Sequence, residues 1–247
     1  MVADMKVLAI IPVRGGSKSI PRKNTKLLNG IPLIAYSIAA GLQSKLVNRV
    51  IVSTDNEGIA ETARAFGAEV PFMRPAKLAL DDTPDLPVFQ HALKWLKEHE
   101  NYVPDVIVQL RPTSPFRPPN LVDQAIKVFL ANSNADCVRG VVIAGQDPHK
   151  MWRIIDNKSP MKKLLNVKGI GEPYNMPRQK LPSVYWQTGH IDVIRTATIL
   201  KGSMSGKNIY PFVIDPRYTV DIDTEFDWNL AEWAIDNMKL TIVLPSQ

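Results

Sequence analysis

Cysteine is almost missing from this chain of 247 residues: Cys137 stands alone, so no internal disulfide can form and a reducing cytoplasm is the expected home. No apolar run approaches the roughly 20 residues of a membrane-spanning helix. The start, Met1-Val-Ala-Asp-Met5, has no basic n-region of a secretory leader, so neither membrane insertion nor export is expected. Two nucleotide signatures are absent as well. Without G-x-x-x-x-G-K-S/T the chain is not a P-loop NTPase, and without G-x-G-x-x-G a dinucleotide-dependent oxidoreductase is disfavoured. The histidines His91, His99, His149 and His190 lack zinc-ligand spacing. Aromatic side chains are sparse near the basic loops, which leaves no stacking platform for a nucleic acid, and none is expected as a partner. Repeats and low-complexity segments are also missing. Asn157-Lys-Ser159 matches a glycosylation acceptor only by chance if no secretion signal precedes it.

What the chain does have is positive charge, a net +6, with 45% hydrophobic and 22% charged residues in ordinary globular proportion. The cations form neither a tail nor one amphipathic face. They gather near Arg14, around Arg111 and Arg117, and between Lys150 and Lys180, a distribution that favours small anionic ligands over a polymer.

Short apolar runs alternate with helical patterns. Strands are expected at Val7–Ile11, Arg49–Ser53, Asp105–Gln109, Asp136–Ile143, Tyr185–Ile194 and Ile209–Ile214, with a short closing strand at Leu240–Leu244. Helices are expected at Pro32–Gln43, Glu57–Phe66, Asp85–Glu98, Leu121–Leu130 and Thr224–Met238, the last with Phe226, Leu230, Trp233 and Ala234 on its apolar side. Such alternation predicts an α/β fold: a Rossmann-like, mostly parallel sheet with helices on both faces, in one domain over residues 1–247. From Gln146 to Pro182 the alternation gives way to prolines, lysines and short apolar pieces. This segment reads as an inserted arm, a lid or a partner contact. Ligands of such sheets sit beyond the carboxyl ends of the strands, where three polar loops are expected to converge.

The first of these loops organises the rest. After the buried run Val7–Ile11 come Arg14-Gly-Gly-Ser-Lys-Ser-Ile-Pro-Arg-Lys-Asn24. Gly15 and Gly16 allow close backbone approach and positive φ, while Arg14, Lys18, Arg22 and Lys23 supply charge; phosphate suits such a nest. At the other end of the chain, Asp221-Ile-Asp-Thr-Glu225 places carboxylates at i and i+2, on one side of an extended segment. Hard oxygen ligands in small number suit Mg²⁺ shared with water and phosphates. An acidic helix N-terminus is the alternative. The phosphate nest elsewhere in the chain favours the metal.

These residues closely resemble the acylneuraminate cytidylyltransferases, the CMP-sialic acid synthetase family. Further blocks are similar and follow in the family's order: Ser53-Thr-Asp55, Arg74-Pro-Ala-Lys-Leu-Ala79 with Asp81, Pro112-Thr-Ser-Pro115 with Arg117, Pro177-Arg-Gln179, Gly189, and Asp221-Ile-Asp-Thr-Glu225. The resemblance implies a nucleotidyltransferase that moves CMP from CTP to the anomeric hydroxyl of a 2-keto sugar acid and releases pyrophosphate. It implies that Arg14, Ser17 and Lys23, with the Gly15 and Gly16 backbone, hold the phosphates, that Asn24, Arg74 and Asp81 contact the nucleotide, and that Asp221 and Asp223 bind Mg²⁺. Lys23, Arg14, Asp221 and Asp223 would carry catalysis. Arg178 and Gln179 would face the sugar acid, and residues 146–182 would form the arm of a homodimer. Two positions depart from sialate-type members: Arg111 replaces a glutamine that contacts the acyl sugar, and Asp192 replaces a frequent tyrosine. Both fall on the acceptor side, so another nonulosonic acid or acidic sugar stays open. Another base such as GTP, or a catalytically silent sugar-nucleotide-binding protein, also stays open.

Overall fold

The computed structural model describes residues 5–245. Residues 1–4, on which the reading of a leaderless start rests, lie outside the described residues. The main elements run β1 (Val7–Pro12), α1 (Leu33–Leu42), β2 (Arg49–Ser53), α2 (Glu57–Ala65), α3 (Asp85–Glu100), β3 (Val106–Gln109), α4 (Leu121–Ala131), β4 (Cys137–Ile143), β5 (Tyr185–Arg195), α5 (Thr196–Leu200), β6 (Ile209–Val213) and α6 (Glu225–Asn237). The strands form one six-stranded sheet in the order β6-β4-β5-β3-β1-β2. All pairings are parallel except those of β5, which runs antiparallel to both β3 and β4. The mostly parallel α/β sheet expected from alternation is therefore present.

Strand β1 shows why it is central. Val7, Ala9 and Ile11 point into one core, with residues of α1 and α4; Leu8 and Ile10 point into the other, with Phe89, Leu93 and Leu96 of α3. A strand buried on both faces reads as a continuous apolar run, and this one does. Each of those α3 side chains contributes about 1.5–3 kcal/mol by its burial. Local signals place the helix ends. The Asn56 side chain accepts the Ile59 N–H at 3.0 Å at the start of α2. Thr224 and Asp227 form a reciprocal capping box on α6.

A third, smaller core decides where the polar loops sit. Ile20 of the first loop, Phe116 of the loop after β3, Ile222 between the two aspartates and Trp228 of α6 are all buried together with Leu28, Leu33 and Tyr36. Three segments distant in sequence are thus pinned on one apolar floor at the carboxyl ends of β1 and β3.

Three expectations are corrected. The inner side of α6 is Trp228, Ala231 and Ala234, whereas Phe226 is 76% and Trp233 55% exposed, with Leu230 also exposed. Of the expected side only Ala234 faces inward. The buried Ile222 and the Thr224 cap set the helix phase, and two alanines allow close approach. Leu240–Leu244 is not a strand; it lies beside the loop after β3 through a Val243 N–H to Arg117 carbonyl bond of 2.8 Å. Neither Gly15 nor Gly16 takes positive φ; within the loop it is Arg22 that does, at 53°. The close approach also expected of them is met at Gly15, since a Cβ there would lie 2.9 Å from Asn56 Cβ.

Residues 146–182 leave the sheet as an exposed excursion with a short hairpin, Trp152–Arg153 against Lys162–Lys163. Ile154, Ile155, Met161, Leu164 and Leu165 are exposed along it.

Candidate active site

The first loop is held by its neighbours rather than by regular structure. Asp55, at the end of β2, accepts the Gly15 N–H at 2.9 Å, and Asn24 Nδ2 donates to the Arg14 carbonyl at 3.3 Å. Asp81 closes over the basic side: it pairs with Arg14 at 2.8 Å and with Lys18. Lys18 first, then Arg14, holds the Asp81 carboxyl below the usual carboxylate range. Asp81 thus offsets part of the loop's positive charge.

Lys23 is buried, and its Nζ donates to the Ile222 carbonyl at 2.7 Å and to Asp223 Oδ1 at 3.3 Å. This one side chain ties the first loop to the acidic segment across about two hundred residues. Asp223 is 71% exposed at its side chain, while Asp221 accepts from Ser114 Oγ at 3.3 Å. Ile222 between them is buried and its N–H donates to the Thr113 carbonyl at 2.7 Å. These bonds fix the acidic segment against the first loop and the loop after β3.

A cavity of about 360 Å³ is lined by Arg14, Ser17, Lys18, Lys23, Asn24, Arg111 and Asp223. The basic loop and one carboxylate of the acidic pair therefore face one space. Gly15 and Asn24 also line a neighbouring cavity of about 440 Å³, with Asn56, which caps α2, and Thr62 of that helix. Arg74 is buried and lines neither cavity, donating Nε to Ser53 Oγ at 3.1 Å and another N–H to the Ser53 carbonyl. Burial pushes its guanidinium down to about 10.

The acceptor-side candidates separate into two groups. Arg111 lines the 360 Å³ cavity and is ion-paired with Asp85. Asp192 is buried and takes the Arg139 Nε at 2.8 Å; burial raises its carboxyl, against the pull of Arg139. Arg178 and Gln179 lie elsewhere, lining a cavity of about 240 Å³ with Asp147 and Leu181. Two N–H groups of Arg178 are spent on the Ala144 and Gly145 carbonyls. Within one protomer they share no lining residue with the basic cavity.

Sequence reasoning missed a polar row beneath Arg111. Gln109, Asp192 and Arg139 are side by side in register on β3, β5 and β4, and Asp85 takes both the Gln109 amide, at 2.9 Å, and the Arg111 guanidinium. Asp85 reads as an ordinary acidic residue in a first helical turn, and Gln109 as the tail of an apolar strand; only cross-strand register brings them together. Arg117 is buried without exposure and donates to the His190 carbonyl, Ser37 Oγ and the Arg111 carbonyl, at 2.8, 2.9 and 2.9 Å. It shapes the loop that carries Arg111. Gly189 of β5 lets that loop approach, since a Cβ there would meet Ser114 Oγ at 2.6 Å.

Asp221 and Asp223, the expected metal ligands, offer two carboxylates, one against Lys23 and the other against Ser114. Among the described residues no group of three or more histidine, cysteine or acidic side chains could hold a metal alone. A hard ion that keeps water and takes the rest of its ligands from phosphates fits this set; an all-protein cage does not.

The sheet, its covering helices and the basic loop beyond β1 are those of the α/β nucleotidyltransferase fold. The solved structure of a CMP:2-keto-3-deoxy-manno-octonic acid synthetase complexed with CTP superposes with a TM-score of 0.69 at 17% identity, covering 94% of this chain and 99% of that one. The cytidylyltransferase family model matches residues 8–165, and the chain belongs to that family; it is a nucleotidyltransferase enzyme. It is 32% identical to the CMP-N,N'-diacetyllegionaminic acid synthase of Legionella pneumophila over 92% of this chain and 95% of the relative. It is 30% identical to the N-acylneuraminate cytidylyltransferase of Escherichia coli over 92% of this chain, which spans 51% of that longer protein. Among the described residues no helix is long and apolar enough to cross a membrane.

Proposed function

We propose that the chain transfers CMP from CTP to the anomeric hydroxyl of a nonulosonate-type 2-keto sugar acid, releasing pyrophosphate. The observation that carries this reading is the 360 Å³ cavity, which Arg14, Ser17, Lys23 and Asn24 share with Asp223 and Arg111. The anomeric hydroxyl oxygen attacks the α-phosphorus as the bond from that phosphorus to the bridging oxygen breaks; pyrophosphate leaves with that oxygen, and the hydroxyl proton passes to solvent. The protein's task is to hold those atoms in line and to stabilise the charge that gathers on the departing pyrophosphate. Arg14, Ser17, the Gly15 and Gly16 backbone and Lys23 hold the phosphates in this reading. Asn24, Arg74 and Asp81 meet the nucleotide; Arg14 and Lys18 exchange Asp81 for the phosphates as CTP enters. Asp221 and Asp223 would hold Mg²⁺, which when bound supplies neutralisation of phosphate charge.

Arg111 and Asp192 meet the acid on the other side. A guanidinium suits a carboxylate through its planar fork. Arg178 and Gln179 do not line the same cavity in one protomer, so a role toward the acid falls to them across a dimer, with the 146–182 arm reaching the partner's cleft. The exposed apolar residues of that arm support this arrangement. A buried, unpaired Cys137 suits a reducing cytoplasm.

Pyrophosphate release, measured with each common nucleoside triphosphate against N-acetylneuraminate, N,N'-diacetyllegionaminate and other 2-keto acids, tests the reading. Release is expected with CTP, Mg²⁺ and a nonulosonic acid together. Preference for GTP, or silence in every combination, overturns it.

A further inference from the structure

The ion pair between Arg111 and Asp85 carries a consequence for how the two substrates are kept apart. Arg111 lines the cavity that also holds Arg14, Lys18 and Lys23. A free guanidinium there would be drawn to the triphosphate, whose several negative charges outcompete the single one of a sugar acid. Asp85 prevents this by position. It is the first residue of α3, so its backbone is fixed by a helix, and its Oδ2 accepts from both Arg111 and Gln109. Gln109 in turn lies in register with Asp192, which holds Arg139. The Arg111 side chain is thereby tethered to the polar row of β3, β5 and β4. Asp85 engages one of its terminal nitrogens, and its remaining N–H groups suffice for a carboxylate.

We propose that Asp85 is a positioning and specificity-determining residue that assigns Arg111 to the acceptor acid and withholds it from the triphosphate. This rests on the reading that Arg111 and Asp192 meet the acid. Because Asp85 acts through Arg111, its loss has an unusual signature: the two substrates respond in opposite directions. Released from its tether, Arg111 loses the ordering that favours the carboxylate and becomes one more cation on the phosphate cradle. Ordering one such side chain corresponds to about tenfold in affinity.

Steady-state kinetics of Asp85→Asn test this, using CTP and whichever of N,N'-diacetyllegionaminate or N-acetylneuraminate the unaltered enzyme turns over. The KM for the acid is expected to rise about tenfold while that for CTP stays level or falls. In an Arg111→Gln background the same Asp85 substitution is expected to change neither. If Asp85→Asn does not fold, Asp85→Glu, which moves the carboxylate by one methylene, reads the same split. An unchanged acid KM, a parallel rise of both KM values, or an undiminished effect in the Arg111→Gln background each overturns the role of Asp85. An unaltered enzyme that is silent toward every sugar acid refutes instead the acceptor reading beneath it.

Discussion

Replacing Lys23 by methionine separates a chemical from a structural role at the centre of the cleft. Methionine keeps the aliphatic bulk and removes the charge. The stability cost can be worked from the contacts. Lys23 Nζ donates to the Ile222 carbonyl at 2.7 Å, and a charged hydrogen bond to a buried acceptor contributes about 1.5–3 kcal/mol. Its other partner, Asp223, is largely exposed, so that half of the interaction adds at most about 1 kcal/mol. For a domain of this size each kcal/mol corresponds to about 2–4 °C, so Tm should fall by roughly 5–10 °C and leave a folded protein at 25 °C. Turnover should fall much further. If Lys23 stabilises the pyrophosphate charge as it develops, its loss should cost about 10²–10³ in kcat, the range seen when one preorganised donor is removed. Differential scanning fluorimetry and pyrophosphate release on the same preparation provide the two numbers. A Tm drop of the expected size with turnover kept within about tenfold of the parent would refute the chemical role and leave Lys23 a tie between two loops.

Other outcomes follow from the same geometry. Asp223→Asn should weaken Mn²⁺ binding in the presence of CTP, read by electron paramagnetic resonance; an unaltered titration counts against metal at this position. His190 is buried with its Nε2 on the Tyr218 carbonyl, and burial, then Arg117, pushes it down from 6.5 to about 4. Between those pH values the unfolded chain binds a proton that the native chain refuses, so stability contributed by neutral His190 is lost as pH falls from 6.5 toward 4, by up to about 3 kcal/mol. Urea titrations of His190→Asn should show a shallower loss across that window, and an equal slope in both proteins would show that His190 is not its source. Deleting residues 151–165 should give a monomer by light scattering; a dimer that survives the deletion removes the arm from the interface.

Much of the fold was legible because burial leaves a periodic trace. The run Val7–Ile11 is apolar throughout since both faces of β1 meet a core, and helix α3 announces itself by a 3.6-residue apolar spacing. The failures have a common cause. Phe226, Leu230 and Trp233 looked like the inner face of α6 because they are the larger apolar residues, yet the buried Ile222 and the Thr224 cap turned the helix to bury Trp228 and two alanines. Local pattern records which residues are apolar; it does not record which anchor sets the phase. In the first loop the expected close approach is met at Gly15, against Asn56, whereas the left-handed conformation falls to Arg22.

By itself, the order of residues determined an alternating sheet, a basic loop beyond its first strand, an acidic pair near the end and the cytidylyltransferase family to which these belong. Short-range forces act between neighbours in the chain, so their outcome is written locally. Only the tertiary structure decided that Lys23 reaches Ile222 and Asp223, that Arg178 and Gln179 stand apart from the basic cavity, and that Asp85 holds Arg111. Those pairings join residues brought together by sheet register and by one small apolar floor, and the reach of an ion pair is set by distance in space, which sequence separation does not measure.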